Sequence, residues 1–167
     1  MEKDTGLSHE LNKAHPTITA EQAKLLENSL RIKILHALNT ESRTSKQVAV
    51  LLGRTPGNVH YHIQKLFAGG FLELTHTQTA GGVIEKYYRS IGTAFQSPGF
   101  EGHRFIPGSA KRQFYTSLAL SAEDLAEFSG QLDRLLEQWE AKNTHGPEYG
   151  VSITVGLIES DDATEPG

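Results

Sequence analysis

The chain has 167 residues, of which 37% are hydrophobic, so one domain or one small domain with an appendage is expected. It contains no cysteine, which excludes disulfides, thiolate metal sites and cysteine nucleophiles. No apolar run approaches the ~20 residues of a membrane-spanning helix, and the polar N-terminus does not resemble a signal peptide. We therefore expect a cytoplasmic protein, in agreement with its lack of disulfides.

The net charge of −4 is unevenly distributed along the sequence. Residues 28–70 carry six Lys or Arg side chains against one acid, a charge of +5. Residues 121–167 carry eleven acids against two bases, a charge of −9. This distribution indicates that the basic part of the chain forms a surface that faces phosphates and that the acidic part does not. Chance clustering of charges on a solvated face is the alternative.

The first predicted elements are a tail and two helices. Residues 1–16 are polar and are predicted to be a flexible tail. Thr19 is a suitable N-cap for a helix over residues 21–27. A second helix is predicted over residues 29–38, because its leucines and isoleucine recur on one face.

Residues 44–70 carry most of the functional information. Two short helices are predicted there, separated by a tight turn at Gly53. Thr44 or Ser45 caps the first, and the second begins at Thr55-Pro56, with proline in the first helical position. The residues expected to point inward are Val48, Leu51, Leu52, Val59, Ile63, Leu66 and Phe67. The opposite face of the second helix carries Gly57, Asn58, Tyr61, Gln64 and Lys65.

A β-hairpin is predicted directly after the second of these helices. Residues 71–77 alternate as a strand, residues 78–82 form a flexible tip, and residues 84–90 return as the partner strand. An exposed helix beside such a hairpin, or wing, has the shape that enters a DNA major groove. Residues 17–90 are thus predicted to form a winged helix-turn-helix domain.

The C-terminal part begins with a stretch rich in Gly, Pro and Ser, residues 91–112, which is too long for an ordinary loop. It is predicted to be either a linker or an arm lying over the surface. Residues 113–158 follow as strand, helix and strand, in which residues 114–120 and 151–157 alternate and Ser121 caps the helix. Residues 159–167 are predicted to be disordered.

The last helix has an apolar stripe with a spacing of three and four residues. Its members are Leu125, Phe128, Leu132, Leu135 and Trp139. The stripe predicts either a dimer seam or packing on the flanking strands, since two heptads are fewer than the ~3–4 that identify a coiled coil. We favour a dimer built from the first helix and the C-terminal unit. A cleft beside Phe114, Phe128, Trp139 and the linker is a candidate effector site, with ordinary core packing as the alternative.

The sequence resembles the winged helix-turn-helix of ArsR-family transcriptional repressors over residues 20–90. The similar motifs are LRIKIL in the second helix, VHYHIQKL in the recognition helix, GGFLEL at the start of the wing and EKYY on its returning strand. The resemblance implies a homodimer on a palindromic operator. Many family members sense metals through cysteine or His/Asp sites, but this chain has no cysteine and no such spacing on its last helix. We therefore expect no metal and no cofactor.

The predicted DNA-binding residues fall into base-contacting and phosphate-contacting groups. Asn58 and Tyr61 are expected to reach base edges, since asparagine pairs with adenine and a tyrosine ring contacts the thymine methyl. Hydroxyls, free backbone amides and basic side chains are expected to bind phosphates. The full set is Arg43, Thr44, Ser45, Lys46, Arg54, Thr55, Gly57, Asn58, Tyr61, Lys65, Thr77, Gln78 and Lys86.

Each of these assignments has a structural alternative. In the alternative, Tyr61 only covers the edge of the core. The charged side chains of the wing are then solvated groups without a role in binding. His60 and His62 flank the apolar stripe, and residues two apart on a helix point ~200° apart, which argues against a metal pair. They are predicted to be partly buried histidines, with His62 the more buried.

The sequence thus predicts an α+β protein, a winged helix-turn-helix domain with a strand-helix-strand dimerisation or effector extension. Its predicted function is that of a sequence-specific DNA-binding regulator, a repressor acting as a homodimer. A winged helix used for protein–protein contact is the alternative, since fold does not determine function. No nucleophile, base and orienting acid recur at motif spacing, so no enzymatic activity is expected. The expected partners are double-stranded DNA, a second copy and an unidentified small-molecule effector, without a membrane.

Overall fold

The computed structural model describes residues 15–159, so the two predicted tails lie almost wholly outside the described part. The elements, in chain order, are helices α1 (Ala20–Leu25), α2 (Ser29–Ala37), α3 (Ser45–Leu52) and α4 (Pro56–Ala68), strands β1 (Leu72–Ala80) and β2 (Val83–Ser90), and helix α5 (Ala122–Glu140). The predicted α+β winged helix-turn-helix is confirmed. None of the described helices has both the length and the hydropathy that a bilayer span requires.

The helix boundaries follow from caps that are visible in the sequence. Thr19 and Thr44 each form a capping box, in which the threonine hydroxyl accepts from a backbone N–H three residues later and a glutamine side chain accepts in return. Gly53 ends α3 with a φ of 61°, a left-handed conformation that glycine adopts without strain. This turn sets the direction of α4 relative to α3.

One hydrophobic core joins the four N-terminal helices to the base of the wing. Its fully buried large side chains are Ile34, Leu35, Leu38, Val48, Val59, Ile63, Leu66 and Phe71. The inward prediction was wrong for Leu51, which is 53% exposed, and for Phe67, which is also exposed. Leu51 lies about 60° away from the direction of Val48 on the helix. Ala49, which is 1% exposed, takes the inward position instead.

The wing is an antiparallel hairpin that is longer than predicted. The strands pair from Leu72 opposite Ser90 to Ala80 opposite Val83. Gly81 and Gly82 alone make the turn, both with positive φ, as two-residue hairpin turns require. The predicted tip at residues 78–82 was therefore too wide.

The base of the wing is attached to the start of α3. The backbones of Arg43 and Tyr88 exchange two hydrogen bonds, each 3.0 Å from N to O. This isolated β-bridge orients the hairpin relative to α3 and α4.

Residues 91–100 lie over the surface as an arm. The Phe95 ring packs edge-on against Phe71 with the centroids 5.0 Å apart. The Ile18 amide donates to the Gln96 carbonyl at 2.8 Å, and the Gln96 amide donates to the Pro16 carbonyl at 2.9 Å. Of the two interpretations that the sequence left open, the arm therefore describes these residues.

Helix α5 forms as predicted, but the strands expected on both sides of it do not. Residues 113–121 and 151–159 belong to no sheet in the described part of the chain. A strand requires hydrogen bonds to a neighbouring strand, and neither segment lies beside one. The strand-helix-strand prediction was thus wrong in its two strands for a single chain.

Candidate nucleic-acid interface

Helix α4 presents its predicted outer face to solvent. Val59, Ile63 and Leu66 are buried, and their burial determines the rotation of the helix about its axis. The opposite side chains consequently point away from the core. The exposed residues on that face are Gly57, Asn58, Tyr61, Gln64 and Lys65.

Asn58 and Tyr61 are both accessible to a partner. Asn58 is exposed, and its amide makes no hydrogen bond to any residue between 15 and 159. Tyr61 is 55% exposed, and the Lys65 Nζ lies 5.7 Å from the centroid of its ring. This exposure argues against the alternative in which Tyr61 only covers the core.

The polar side chains before α3 are used inside the protein. The Arg43 guanidinium donates to the Ala37 carbonyl and to the Glu41 carboxylate. Thr44 is buried, and its hydroxyl caps α3. These side chains hold the helix-turn-helix together, whereas the Ser45 hydroxyl lies closer to the surface.

On and around α3 and α4, the candidate phosphate contacts are Lys46, Arg54, Thr55 and Lys65. Lys46 is exposed, and its Nζ lies 3.8 Å from Glu85, a long surface pair of small energy. Arg54 is half-buried, and its Nε makes no hydrogen bond with the described residues. Thr55 is the N-cap residue of α4, but its hydroxyl makes no capping hydrogen bond. Lys65 is exposed one turn after Tyr61.

The predicted wing residues lie within the strands rather than at the tip. Thr77 stands opposite Lys86, and Gln78 stands opposite Glu85. The first three are exposed. The strand ends next to the turn carry exposed apolar side chains, among them Ile84.

Residues 26–75 match the family model described as a helix-turn-helix domain. These residues form a helix-turn-helix domain. The match contains α2, α3 and α4 and ends inside β1. Domains of this type are the DNA-binding parts of transcription regulators, and this is the coarse function that we assign to the chain.

Comparison with whole proteins adds little to this domain assignment. None of the curated proteins matches the chain. Among solved structures, it is similar to the homodimeric winged helix-turn-helix DNA-binding domain of a possible ArsR-family transcriptional regulator from Mycobacterium bovis. The identity is 21%, the match covers 76% of this chain and 86% of that chain, and the TM-score is 0.39.

The helix-turn-helix domain contains two surface residues that the sequence alone did not assign to the site. His60 is exposed, with its Nδ1 3.4 Å from the Ser45 hydroxyl. Gln64 donates from Nε2 to the Tyr88 hydroxyl at 3.1 Å and so links α4 to the wing. Helical spacing alone does not identify these roles, because they depend on where α3 and the wing lie. No group of three or more possible metal ligands occurs among residues 15–159.

His62 connects the recognition helix of the domain to α2. The Arg31 Nε donates to the His62 Nδ1 at 3.2 Å, and the Arg31 Nη1 donates to the Leu25 carbonyl at 3.0 Å. Burial, and then the charge of Arg31, lower the pKa of His62 below its ordinary value of 6.5. An imidazole whose Nδ1 accepts from Arg31 is the neutral form, with its proton on Nε2.

We expect the free energy of unfolding to decrease as the pH falls below about 6.5, the ordinary histidine pKa. Above that pH, His62 is neutral in both the folded and the unfolded chain, so its protonation does not reduce the free energy of unfolding. Between 6.5 and the lower folded pKa, only the unfolded chain binds the proton, so stability is lost. Urea unfolding at several pH values should show a weaker dependence for His62→Gln than for the wild type. Equal pH dependence of the two proteins would contradict the role of His62.

Proposed function

We propose that the protein is a sequence-specific DNA-binding repressor that acts as a homodimer on a palindromic operator. The observation that carries this proposal is the outward face of α4, where Asn58 and Tyr61 are exposed beside Lys65. With α4 in the major groove, an Asn58–adenine pair and a Tyr61–thymine methyl contact each discriminate by ~1–3 kcal/mol.

Phosphate contacts surround this base-contacting face. Lys46, Arg54 and Lys65 supply charge, and the Thr55 hydroxyl lies at the amino end of α4, where backbone N–H groups favour an anion. Arg43 and Thr44 are assigned to positioning through their backbones, since their side chains are engaged internally. On the wing, the exposed side chains that follow the DNA backbone are Thr77, Gln78 and Lys86.

The dimer is proposed from the incomplete packing of the C-terminal extension. Helix α5 has no buried residue within one chain, although helices in proteins are stabilised mainly by packing of their apolar face. Leu135 is 50% exposed and Trp139 is 61% exposed. The other predicted seam residues, Leu125, Phe128 and Leu132, are half-buried. We therefore assign the seam to the side of α5 that carries Leu135 and Trp139.

A second copy is the occupant that suits this surface best. The segments on both sides of α5 expose alternating apolar side chains, including Tyr115, Leu118 and Val151, without strand partners in the described chain. A two-fold axis brings the same segments of two chains together. One winged helix contacts one half-site, so a symmetric pair supplies both halves of a palindrome.

Two variants distinguish base contacts from phosphate contacts. We expect Asn58→Ala to relax specificity at one operator position by ~1–3 kcal/mol, because its amide no longer discriminates there.

We expect Arg54→Ala to weaken all duplexes similarly and to lower the slope of log affinity against log salt by ~1. The operator is first selected from random duplexes, and affinities are then measured by fluorescence anisotropy at two salt concentrations.

Arg54→Lys is the matched control, since it keeps the charge and should keep the salt slope. An unchanged preference in Asn58→Ala would remove Asn58 from base readout. Affinity for duplex that does not depend on salt would overturn DNA binding and favour the protein–protein module.

A further inference from the structure

A cavity of about 710 Å³ lies between the helix-turn-helix domain and the C-terminal extension. Its walls are α1 with the residues that follow it, the arm, the inner side of α5 and residues 151–153. Small-molecule sites in proteins have volumes of about 300–1,000 Å³ and are mostly apolar with a few polar groups. The cavity is therefore large enough for an organic ligand.

The charged side chains that line the cavity are all acidic. They are Glu27, Asp133, Glu137 and Glu140, and no Lys or Arg of the described residues lines it. His15 lies 3.1 Å from Asp133, and His36 lies 3.1 Å from Glu140. The carboxylates of Glu27 and Glu137 make no hydrogen bond or ion pair with residues 15–159. The electrostatic preference of the cavity is consequently for a cation.

The remaining lining provides contacts for an apolar body. The rings of Phe95 and Phe100 lie in the wall, together with Leu26 and Leu136. The Ser97 hydroxyl, also in the wall, is buried and has no hydrogen-bond partner among the described residues. Because this hydroxyl is enclosed by the wall, the contacts that the remaining lining offers are mainly apolar.

We propose that the cavity binds a small organic cation with an aromatic or aliphatic body. Glu27 and Glu137 attract its charge, and the apolar wall, which includes the rings of Phe95 and Phe100, covers its body. An organic anion of the same shape is excluded, because its charge meets carboxylates without a compensating cation.

The site is connected to the helix-turn-helix by the residues that follow α5. The Asn143 Nδ2 donates to the carbonyl of Leu52 at 3.2 Å, immediately before the turn at Gly53. The Lys33 Nζ donates to the Thr144 carbonyl, and the Ser29 hydroxyl donates to Glu148 at 2.8 Å. A cation that displaces α5 changes these contacts and hence the operator affinity, a consequence that rests on the proposed function.

The test is calorimetric titration of the full chain, without DNA, with two ions of matched shape and opposite charge. Tetraphenylphosphonium is expected to bind once per chain, and tetraphenylborate is expected not to bind. Glu137→Gln should weaken phosphonium binding by about fivefold, the size of one partly exposed charge pair. Glu127→Gln is the control, because it removes the same charge from α5 at an exposed position that does not line the cavity.

Three results would overturn the cation site: no phosphonium binding, equal binding of both ions, or equal weakening by the two variants. Thermal melts show that each variant is folded before it is titrated. Because the titration contains no DNA, a negative result leaves the DNA-binding proposal intact. If the protein proves not to bind DNA, the titration still tests the cation site.

Discussion

The double variant Leu135→Glu/Trp139→Glu is expected to be a folded monomer. Both side chains are at least half exposed in a single chain, so replacing them leaves no cavity in its core. In the proposed dimer, the new carboxylates would be desolvated against the equally acidic extension of the other copy, which is strongly unfavourable. Light scattering should therefore give the mass of one chain, 18.3 kDa, where the wild type gives twice that value.

The monomer should also lose operator affinity by on the order of 100-fold, since the second half-site no longer binds as part of the same molecule. Ile106→Glu is the matched control, because it places the same charge at an exposed apolar position outside α5. The control should remain a dimer with unchanged affinity. A double variant that still has the mass of a dimer would place the seam on another surface.

Phe71→Ala is expected to reduce the free energy of unfolding by about 3–5 kcal/mol. Phe71 is fully buried where α4 meets the wing, and its ring packs against Phe95. Its amide donates to the Leu66 carbonyl, and its carbonyl accepts from the Ile91 amide. Removal of the ring thus leaves a cavity, because the backbone hydrogen bonds of residue 71 still hold α4 and the wing in place. Urea unfolding measures the loss.

Phe105→Ala is the comparison for this variant, because the Phe105 ring is exposed and contacts the Lys111 ammonium at the surface. Its loss of stability should stay below about 1 kcal/mol. Similar losses for the two phenylalanines would contradict the placement of Phe71 at the centre of the core.

Much of the helix-turn-helix was predictable, because its signals act over only a few residues. A threonine hydroxyl caps α3 through an amide three residues later, and Gly53 adopts its left-handed conformation at the end of the same helix. The apolar spacing of Val59, Ile63 and Leu66 sets the face that α4 buries. The exposure of Asn58 follows from the same spacing.

Local sequence was sufficient to predict the helices, the turn and the wing, because caps, glycine conformations and hydrophobic periodicity act between residues close in the chain. The internal hydrogen bonds of the Arg43 guanidinium depend instead on how the chain packs, and so does the position of the α5 carboxylates across a cavity from the arm. The same is true of residues 114–120, which form no strand in a single chain. Each of these outcomes depends on contacts between groups far apart in the chain. A local sequence pattern does not indicate which distant group will contact a given residue.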